Sequence, residues 1–287
     1  MKQEPKRHHY IPEFFTRRWC VGDKLTRYVR TPRGVYCKEY APKAVACRAD
    51  LYKLEGVGIG DPYSIETHTY QRLDSESALV FEKLLKTNRE KPTDDEMLTL
   101  SLFLLALPAR NPWAHIEGER IAREAHMAEL DADPELAAAL KRPNGPKLFD
   151  AVEKALPHLM GNQTRRILVR AWADEAKALR MLQMDWSLLY LDEASTDLIL
   201  GDIPLSRHGD FLNRKCVWVL PIGPKRLLVV TNIPSFIDSL ERRSHDEVVR
   251  RVNRDSAFLA KEHLFATGRH HMDVAEELLG KSALPPV

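Results

Sequence analysis

Apolar residues recur at helical spacing through the middle of the chain. Residues 62–86 carry such a seam, which includes Tyr70, Leu73 and Val80. The same periodicity, interrupted by proline and glycine, predicts further helices at residues 97–107, 112–130, 134–140, 146–156 and 162–183. Together these patterns predict a helical region over residues 61–183.

Short β-rich runs lie on both sides of this region. Residues 24–30 and 35–40 flank a Pro and Gly turn, which predicts a hairpin. Four later runs predict a small antiparallel sheet after residue 185: 186–191, 197–200, 215–220 and 226–231. Helices at 244–265 and 272–279 close the chain. The predicted fold class is therefore α+β and mainly helical, with an N-terminal β-hairpin lobe.

The 287 residues are predicted to form a single compact domain, because 44% of them are hydrophobic and no repeat or low-complexity tract divides them. Its parts are a basic hairpin lobe (1–60), a helical region (61–183) and a small sheet with C-terminal helices (184–287).

The most apolar segment, residues 97–107, is a predicted buried helix. Thr93 and Glu96 have the spacing of a capping box before it, and Pro108 is predicted to end it. Its eleven residues are about half of the roughly 20 that cross a bilayer. The basic beginning of the chain has no apolar signal-peptide region. We therefore predict a soluble, cytoplasmic protein with no membrane partner.

The cysteines and the charges limit the kinds of site that this chain can form. Cys20, Cys37, Cys47 and Cys216 show no paired spacing, which argues against a disulfide framework and a zinc ribbon. Net charge is only +2, but residues 1–53 hold thirteen Lys and Arg against five Asp and Glu. This basic segment either binds nucleic acid or docks on the acidic remainder of its own chain. The oligomeric state is left open.

His8 and His9, just before Pro12, form the most distinctive polar stretch. Neutral imidazole serves both as a metal ligand and as a general base, so the pair is a candidate for either role. The alternative is an ordered arm whose histidines hydrogen-bond to backbone groups.

Two charged residues are predicted in apolar surroundings. Glu66 lies on the seam of residues 62–86, where a carboxylate must be neutral, paired or metal-bound. It either meets His8 or His9, or is a first-turn glutamate paired with an arginine. Arg110, fixed between two prolines, is a candidate for holding a phosphate, or it pairs with Glu66.

Two further candidates come from the second half of the chain. Asp202 follows a predicted strand, where it either binds a metal ion or forms an ordinary Asx turn. Asn253 is predicted to face inward from its helix, where it needs partners and most often ties a helix to a loop.

The sequence resembles a bacterial family known as domain of unknown function 4238, whose members open with His-His-Tyr-Ile/Val-Pro. That motif is residues 8–12 here, followed by Phe14, Phe15 and Arg18. The resemblance continues through the Ile65-Glu66 pair to Val252-Asn253 and covers nearly the whole chain. The chain departs from the family where polar neighbours would flank Asp202, because Gly201 and Ile203 stand there. The resemblance implies no particular activity.

Two functions remain as hypotheses. The first is a metal-dependent phosphodiester hydrolase, a nuclease-like enzyme acting on nucleic acid with Mg²⁺ or Mn²⁺. In it, His9, His8 and Glu66 are catalytic. The metal ligands are His8, His9, Glu66 and Asp202, and the substrate is held by Arg110, Arg18 and Asn253. The second is a non-catalytic module that binds an anionic ligand or a partner protein, in bacterial stress response or defence.

Overall fold

The computed structural model describes residues 6–86, 92–132, 148–209 and 213–281. Helix accounts for 50% and strand for 20%, and the strands pair in antiparallel sheets, so the predicted α+β, mainly helical class is confirmed. No helix in these ranges has both the length and the apolar character that a membrane span requires. The predicted helix at 134–140 lies outside the described residues.

The helices have the following bounds in chain order. The described α-helices are α1 (Glu13–Thr16), α2 (Gln71–Lys86), α3 (Asp94–Arg110), α4 (Pro112–Ala132), α5 (Leu148–Ala155), α6 (Leu159–Trp172), α7 (Glu175–Met181), α8 (Pro234–Glu241), α9 (His245–Leu259) and α10 (Met272–Leu278). Short 3-10 turns at Arg17–Trp19 and Pro42–Ala44 and a π-helical segment at Ile65–Tyr70 accompany them.

The strands fall into one two-stranded and two four-stranded sheets. The described strands are β1 (Arg7–His9), β2 (Leu25–Thr31), β3 (Gly34–Tyr40), β4 (Cys47–Ala49), β5 (Asp185–Tyr190), β6 (Leu200–Gly201), β7 (Ser206–His208), β8 (Val217–Gly223), β9 (Arg226–Thr231) and β10 (His263–Ala266). Strand β1 pairs with β4, and the larger sheets have the orders β3-β2-β10-β6 and β5-β9-β8-β7.

The predicted hairpin forms the edge of the first four-stranded sheet, which we call the hairpin sheet. Strands β2 and β3 pair from Leu25 and Tyr40 to Thr31 and Gly34. Gly34 has a φ of +114°, a backbone conformation that side-chain-bearing residues rarely adopt. The other half of the sheet is β10 and β6, so residues far along the chain complete the N-terminal lobe.

The two faces of the hairpin sheet differ. Opposite residues of an antiparallel pair share a face, and successive residues of a strand alternate. Because Arg27 pairs with Lys38 and Val29 pairs with His263, these four side chains share one face. Tyr28 lies on the other face, in the apolar cluster formed with α9 and α10. Leu25 and Phe265 share the face of Arg27 and are buried in the largest apolar cluster, so this face carries core residues as well as polar groups.

The second four-stranded sheet confirms three of the four predicted strands. Of the predicted strand at 197–200, only the last residue is in a strand, and that strand belongs to the hairpin sheet. The amide of Ile199 donates to the Asn253 side chain instead of to a neighbouring strand. Strand β7 was not predicted from the sequence. Its partner β8 places Trp218 and Leu220 in the largest apolar cluster, with Ile11 from the N-terminal segment.

Two predicted helices are shorter or divided. The helix at 162–183 is two helices, because Asp174 caps α7 by accepting from the amides of Ala176 and Lys177. The helix predicted at 244–265 ends at Leu259, and the following segment becomes β10.

Helix α3 is longer than predicted. The capping box forms: the Thr93 amide donates to Glu96 Oε2 at 2.8 Å and the Glu96 amide to Thr93 Oγ1 at 3.3 Å. The helix then continues through Pro108 to Arg110, where Asn111 N–H donates to the Pro108 carbonyl. This last turn gives Arg110 its buried position.

Candidate functional site

His8 is a buried anchor of the N-terminal strand. Pairing of β1 with β4 sets His8 opposite Arg48. The imidazole is fully buried, its Nδ1 accepts the backbone N–H of Tyr52 at 2.9 Å, and its ring stacks on that of Tyr52 with centroids 5.3 Å apart. The Tyr63 ring packs perpendicular to it, with the two centroids 5.8 Å apart. This backbone hydrogen bond matches the structural alternative for the histidine pair.

His9 is linked to Arg110 through its backbone. The Arg110 guanidinium donates from Nη2 to the His9 carbonyl at 2.9 Å. In the described ranges the buried Nε2 of His9 has no hydrogen-bond partner. Burial lowers the pKa of the imidazole; Glu13 opposes this shift and Arg110 adds to it. A neutral ring at neutral pH follows from this lowered pKa.

Arg110 itself is fully buried and pairs with Asp74. Its Nη1 donates to one carboxylate oxygen and its Nη2 to the other at 2.9 Å, so the pair is bidentate. The guanidinium also lies 4.5 Å from the Tyr70 ring centroid. The Tyr52 hydroxyl donates to the Arg110 carbonyl at 2.8 Å.

Glu66 lies in the π-helical segment that precedes α2, and its side chain is only 7% exposed. Its Oε2 has no hydrogen-bond partner among the described residues. Burial raises the pKa of this carboxyl to about 7; Arg110 partly offsets the shift and Asp74 adds to it. Glu66, Asp74, Arg110 and the two histidines thus form one connected group, which we call the arm cluster.

Asp202 has its own set of partners. Its carboxylate accepts the backbone N–H groups of Lys261 at 2.8 Å, Glu262 at 2.7 Å and His263 at 3.0 Å. Burial raises the pKa of Asp202 to about 6, although these three donors hold it down. The Asn111 side chain donates to the Asp202 carbonyl at 2.8 Å. Asp202 therefore fixes the backbone at the start of β10.

The predicted metal quartet is not assembled. Among the residues that the structure describes, no three histidine, cysteine, aspartate or glutamate side chains are grouped closely enough to hold a metal ion. The structure places His9 and Glu66 beside Arg110, and it links His8 to Arg110 only through Tyr52. The oxygens of Asp202 are engaged by backbone amides.

Asn253 and Arg18, the remaining candidates, contact other parts of the protein. The Asn253 amide donates to the Asp197 carbonyl and accepts from the Ile199 amide, both at 2.9 Å. Arg18 donates to the Ile222 carbonyl at 3.0 Å and packs over aromatic rings, 4.7 Å from that of Phe81. Burial lowers the pKa of Arg18 to about 10. Asn253 ties its helix to a loop, the structural use that the sequence left open.

A second group of polar and aromatic side chains lies where one face of the hairpin sheet meets β4 and the start of α4. The Arg27 guanidinium lies 3.9 Å from the ring centroid of Tyr40, and that of Arg48 lies 5.4 Å from Trp113. His263 lies near both arginines: burial lowers its pKa, and Arg27 and Arg48 lower it further, while Glu262 raises it. We call Arg27, Tyr40, Arg48, Trp113 and His263 the basic aromatic face.

Sequence reasoning missed this face, although part of its basis was visible. The positive charge of residues 1–53 indicated this lobe, and the hairpin pairing places Arg27 opposite Lys38. Other basic residues of the segment dock on the chain itself, but on backbone carbonyls and not on the acidic side chains that the alternative interpretation named. Arg30, for example, donates to the Ala275 carbonyl at 3.0 Å and to two further carbonyls at the end of α10.

Taken together, the chain is an α+β protein whose N-terminal arm is held by a buried ion-pair cluster beside a basic aromatic sheet face. It belongs to the family described as Protein of unknown function (DUF4238), whose model matches residues 7–270. The family resemblance seen in the opening motif is thereby confirmed. No curated protein and no solved structure matches the chain.

Proposed function

We propose that this protein binds single-stranded nucleic acid on the basic aromatic face. The observation that carries the proposal is the pair of arginine-aromatic contacts, Arg27 on Tyr40 and Arg48 on Trp113, with both arginines near His263. Single-strand binders combine cations that track the backbone with aromatic rings on which bases stack. This is the anionic-ligand form of the binding hypothesis.

The state of the two guanidinium groups supports a phosphate ligand. Arg27 Nε is buried and has no hydrogen-bond partner within the described parts of the chain. Arg48 is 37% exposed, and its carboxylate partner, Glu262, is 41% exposed, so their ion pair is weak in water. A strand phosphate supplies two anionic non-bridging oxygens and matches the planar guanidinium fork.

The aromatic partners favour a single strand over a duplex. Tyr40 and Trp113 are each partly exposed, and each lies beside an arginine. Bases of a single strand can turn onto such rings, whereas the bases of a duplex are already stacked and paired. Base stacking on an aromatic ring contributes roughly 1–3 kcal/mol per base.

The test is fluorescence anisotropy with labelled single-stranded and duplex oligonucleotides at several salt concentrations. We expect the single strand to bind more tightly, and Arg27→Gln with Arg48→Gln to weaken binding at least about tenfold. The slope of log K against log salt should fall by about 1.4, because each phosphate contact contributes about 0.7 on a single strand.

A double variant elsewhere controls for the loss of two positive charges. Arg120→Gln with Arg254→Gln removes two charges that are about half exposed, from α4 and α9. It should change the affinity by less than about twofold. Equal losses in the two double variants, or no binding at low salt, would contradict the proposal.

Metal-dependent hydrolysis of the bound strand is the second candidate function. It is favoured by Glu66, a buried carboxyl whose Oε2 lacks a partner among the described residues and which shares the arm cluster with His9. Magnesium is often held by one or two carboxylates together with substrate phosphates. The same oligonucleotides, incubated with Mg²⁺ or Mn²⁺ and then with EDTA, test it: cleavage should require the metal and be lost in Glu66→Gln.

A further inference from the structure

Glu262 occupies the position on the basic aromatic face where an anion would bind. Its two carboxylate oxygens lie 3.3 and 3.2 Å from Arg48 Nη2. Oε2 is also 3.7 Å from His263 Nε2. A carboxylate between a guanidinium and an imidazole makes the contacts that the two non-bridging oxygens of a strand phosphate would make.

The backbone beneath Glu262 is fixed, so that only its side chain is free to move. The buried Asp202 carboxylate accepts the amides of Lys261, Glu262 and His263 in succession. The Glu262 side chain, by contrast, is 41% exposed at the surface. It can therefore leave Arg48 by rotation about its own bonds, while the sheet keeps its place.

We propose that Glu262 is the specificity-determining residue of this face, an internal competitor that a strand phosphate must displace from Arg48. The inference rests on the proposed function. A ligand with one phosphate that binds Arg48 must break the whole Arg48–Glu262 ion pair. A ligand with two or more phosphates also reaches Arg27, beside the same imidazole, and stays bound there while Glu262 remains on Arg48, so it loses less affinity to the competitor. The competitor thus selects oligonucleotides over mononucleotides.

The test compares Glu262→Gln with Glu39→Gln in the full chain. Both variants remove one negative charge from the hairpin sheet, but Glu39 pairs with Thr26 and so lies on the opposite face from Arg27. Dissociation constants are measured for a labelled single-stranded oligonucleotide and, by competition, for a nucleoside monophosphate. Thermal unfolding monitors that each variant is folded.

Glu262→Gln should bind the oligonucleotide about fivefold more tightly, the size of a half-exposed ion pair, and should gain more for the monophosphate. Glu39→Gln should change either constant by less than about twofold. If the native chain binds the strand but Glu262→Gln binds no better than Glu39→Gln, the inference is overturned and the proposed function stands. If neither the native chain nor Glu262→Gln binds the strand, both are overturned.

Discussion

The guanidinium of Arg110 is paired with Asp74 and not with Glu66. Both oxygens of Asp74 accept from it, and it also donates to the His9 carbonyl and lies over the Tyr70 ring. Arg110 acts on Glu66 only as a nearby positive charge that lowers its pKa. The Oε2 atom of Glu66 has no hydrogen-bond partner in the described ranges. The pairing of Arg110 with Glu66, one of the two roles considered from sequence, is therefore wrong.

Removing the buried guanidinium should destabilise the fold strongly. Arg110→Met leaves the Asp74 carboxylate partly buried without a cation and removes the donor to His9, so the free energy of unfolding should fall by roughly 3–5 kcal/mol. Urea denaturation measures this loss. The matched control is Arg120→Met, whose two partners are exposed and which should cost at most about 1 kcal/mol. Equal losses in the two variants would contradict a structural role for the Arg110–Asp74 pair.

Glu66 should make the fold less stable as pH rises. Burial raises the pKa of its carboxyl from an ordinary value of 4.5 to about 7, so between these values the folded chain binds more protons than the unfolded chain. The contribution of Glu66 to stability is therefore fully present below pH 4.5 and is lost as pH rises through 7. The full loss amounts to about 3 kcal/mol.

Glu66→Gln isolates this effect, because an amide does not titrate. Urea denaturation of the native chain and the variant from about pH 4 to pH 8 gives the stability difference at each pH. The variant should gain about 3 kcal/mol relative to the native chain across this range. Asp202 also has a raised pKa and therefore also lowers stability as pH rises. Because both chains contain it, its contribution cancels in the stability difference. A difference that is independent of pH would show that Glu66 titrates normally.

Local features of the fold could be predicted from the sequence. The hairpin and the capping box at Thr93 depend on residues within a few positions of one another, so composition and spacing contain the information. Strand β10 was predicted as helix, because its place in the sheet depends on β2, more than two hundred residues earlier, and on the Asp202 carboxylate. Such pairings leave no periodic pattern in the sequence.

The buried polar residues were found more readily than their partners. A carboxylate on an apolar seam and an arginine between prolines stand out, so Glu66 and Arg110 were both named. Asp74 was not, since a charged residue on an exposed-looking helix face is ordinary in sequence. The role of Asp202 as an acceptor for three amides is likewise invisible until β10 is placed beside it.

The basic aromatic face is assembled from distant segments, and this explains why sequence reasoning missed it. Arg27 and Tyr40 are diagonal neighbours across the hairpin, but Arg48, Trp113 and His263 come from β4, α4 and β10. The excess of positive charge before residue 53 indicated which lobe would carry an anion site. It did not indicate which arginines stay available after the others dock on the protein itself.

Photo-crosslinking of a bromodeoxyuridine-substituted single strand, followed by tryptic mass spectrometry, tests the central claim most directly. Bases stacked on Tyr40 and Trp113 should leave adducts in the tryptic peptides 39–43 and 111–120, and these adducts should disappear when Arg27 and Arg48 are both replaced by Gln. Adducts confined to other peptides, or unchanged in the double variant, would contradict binding on the basic aromatic face.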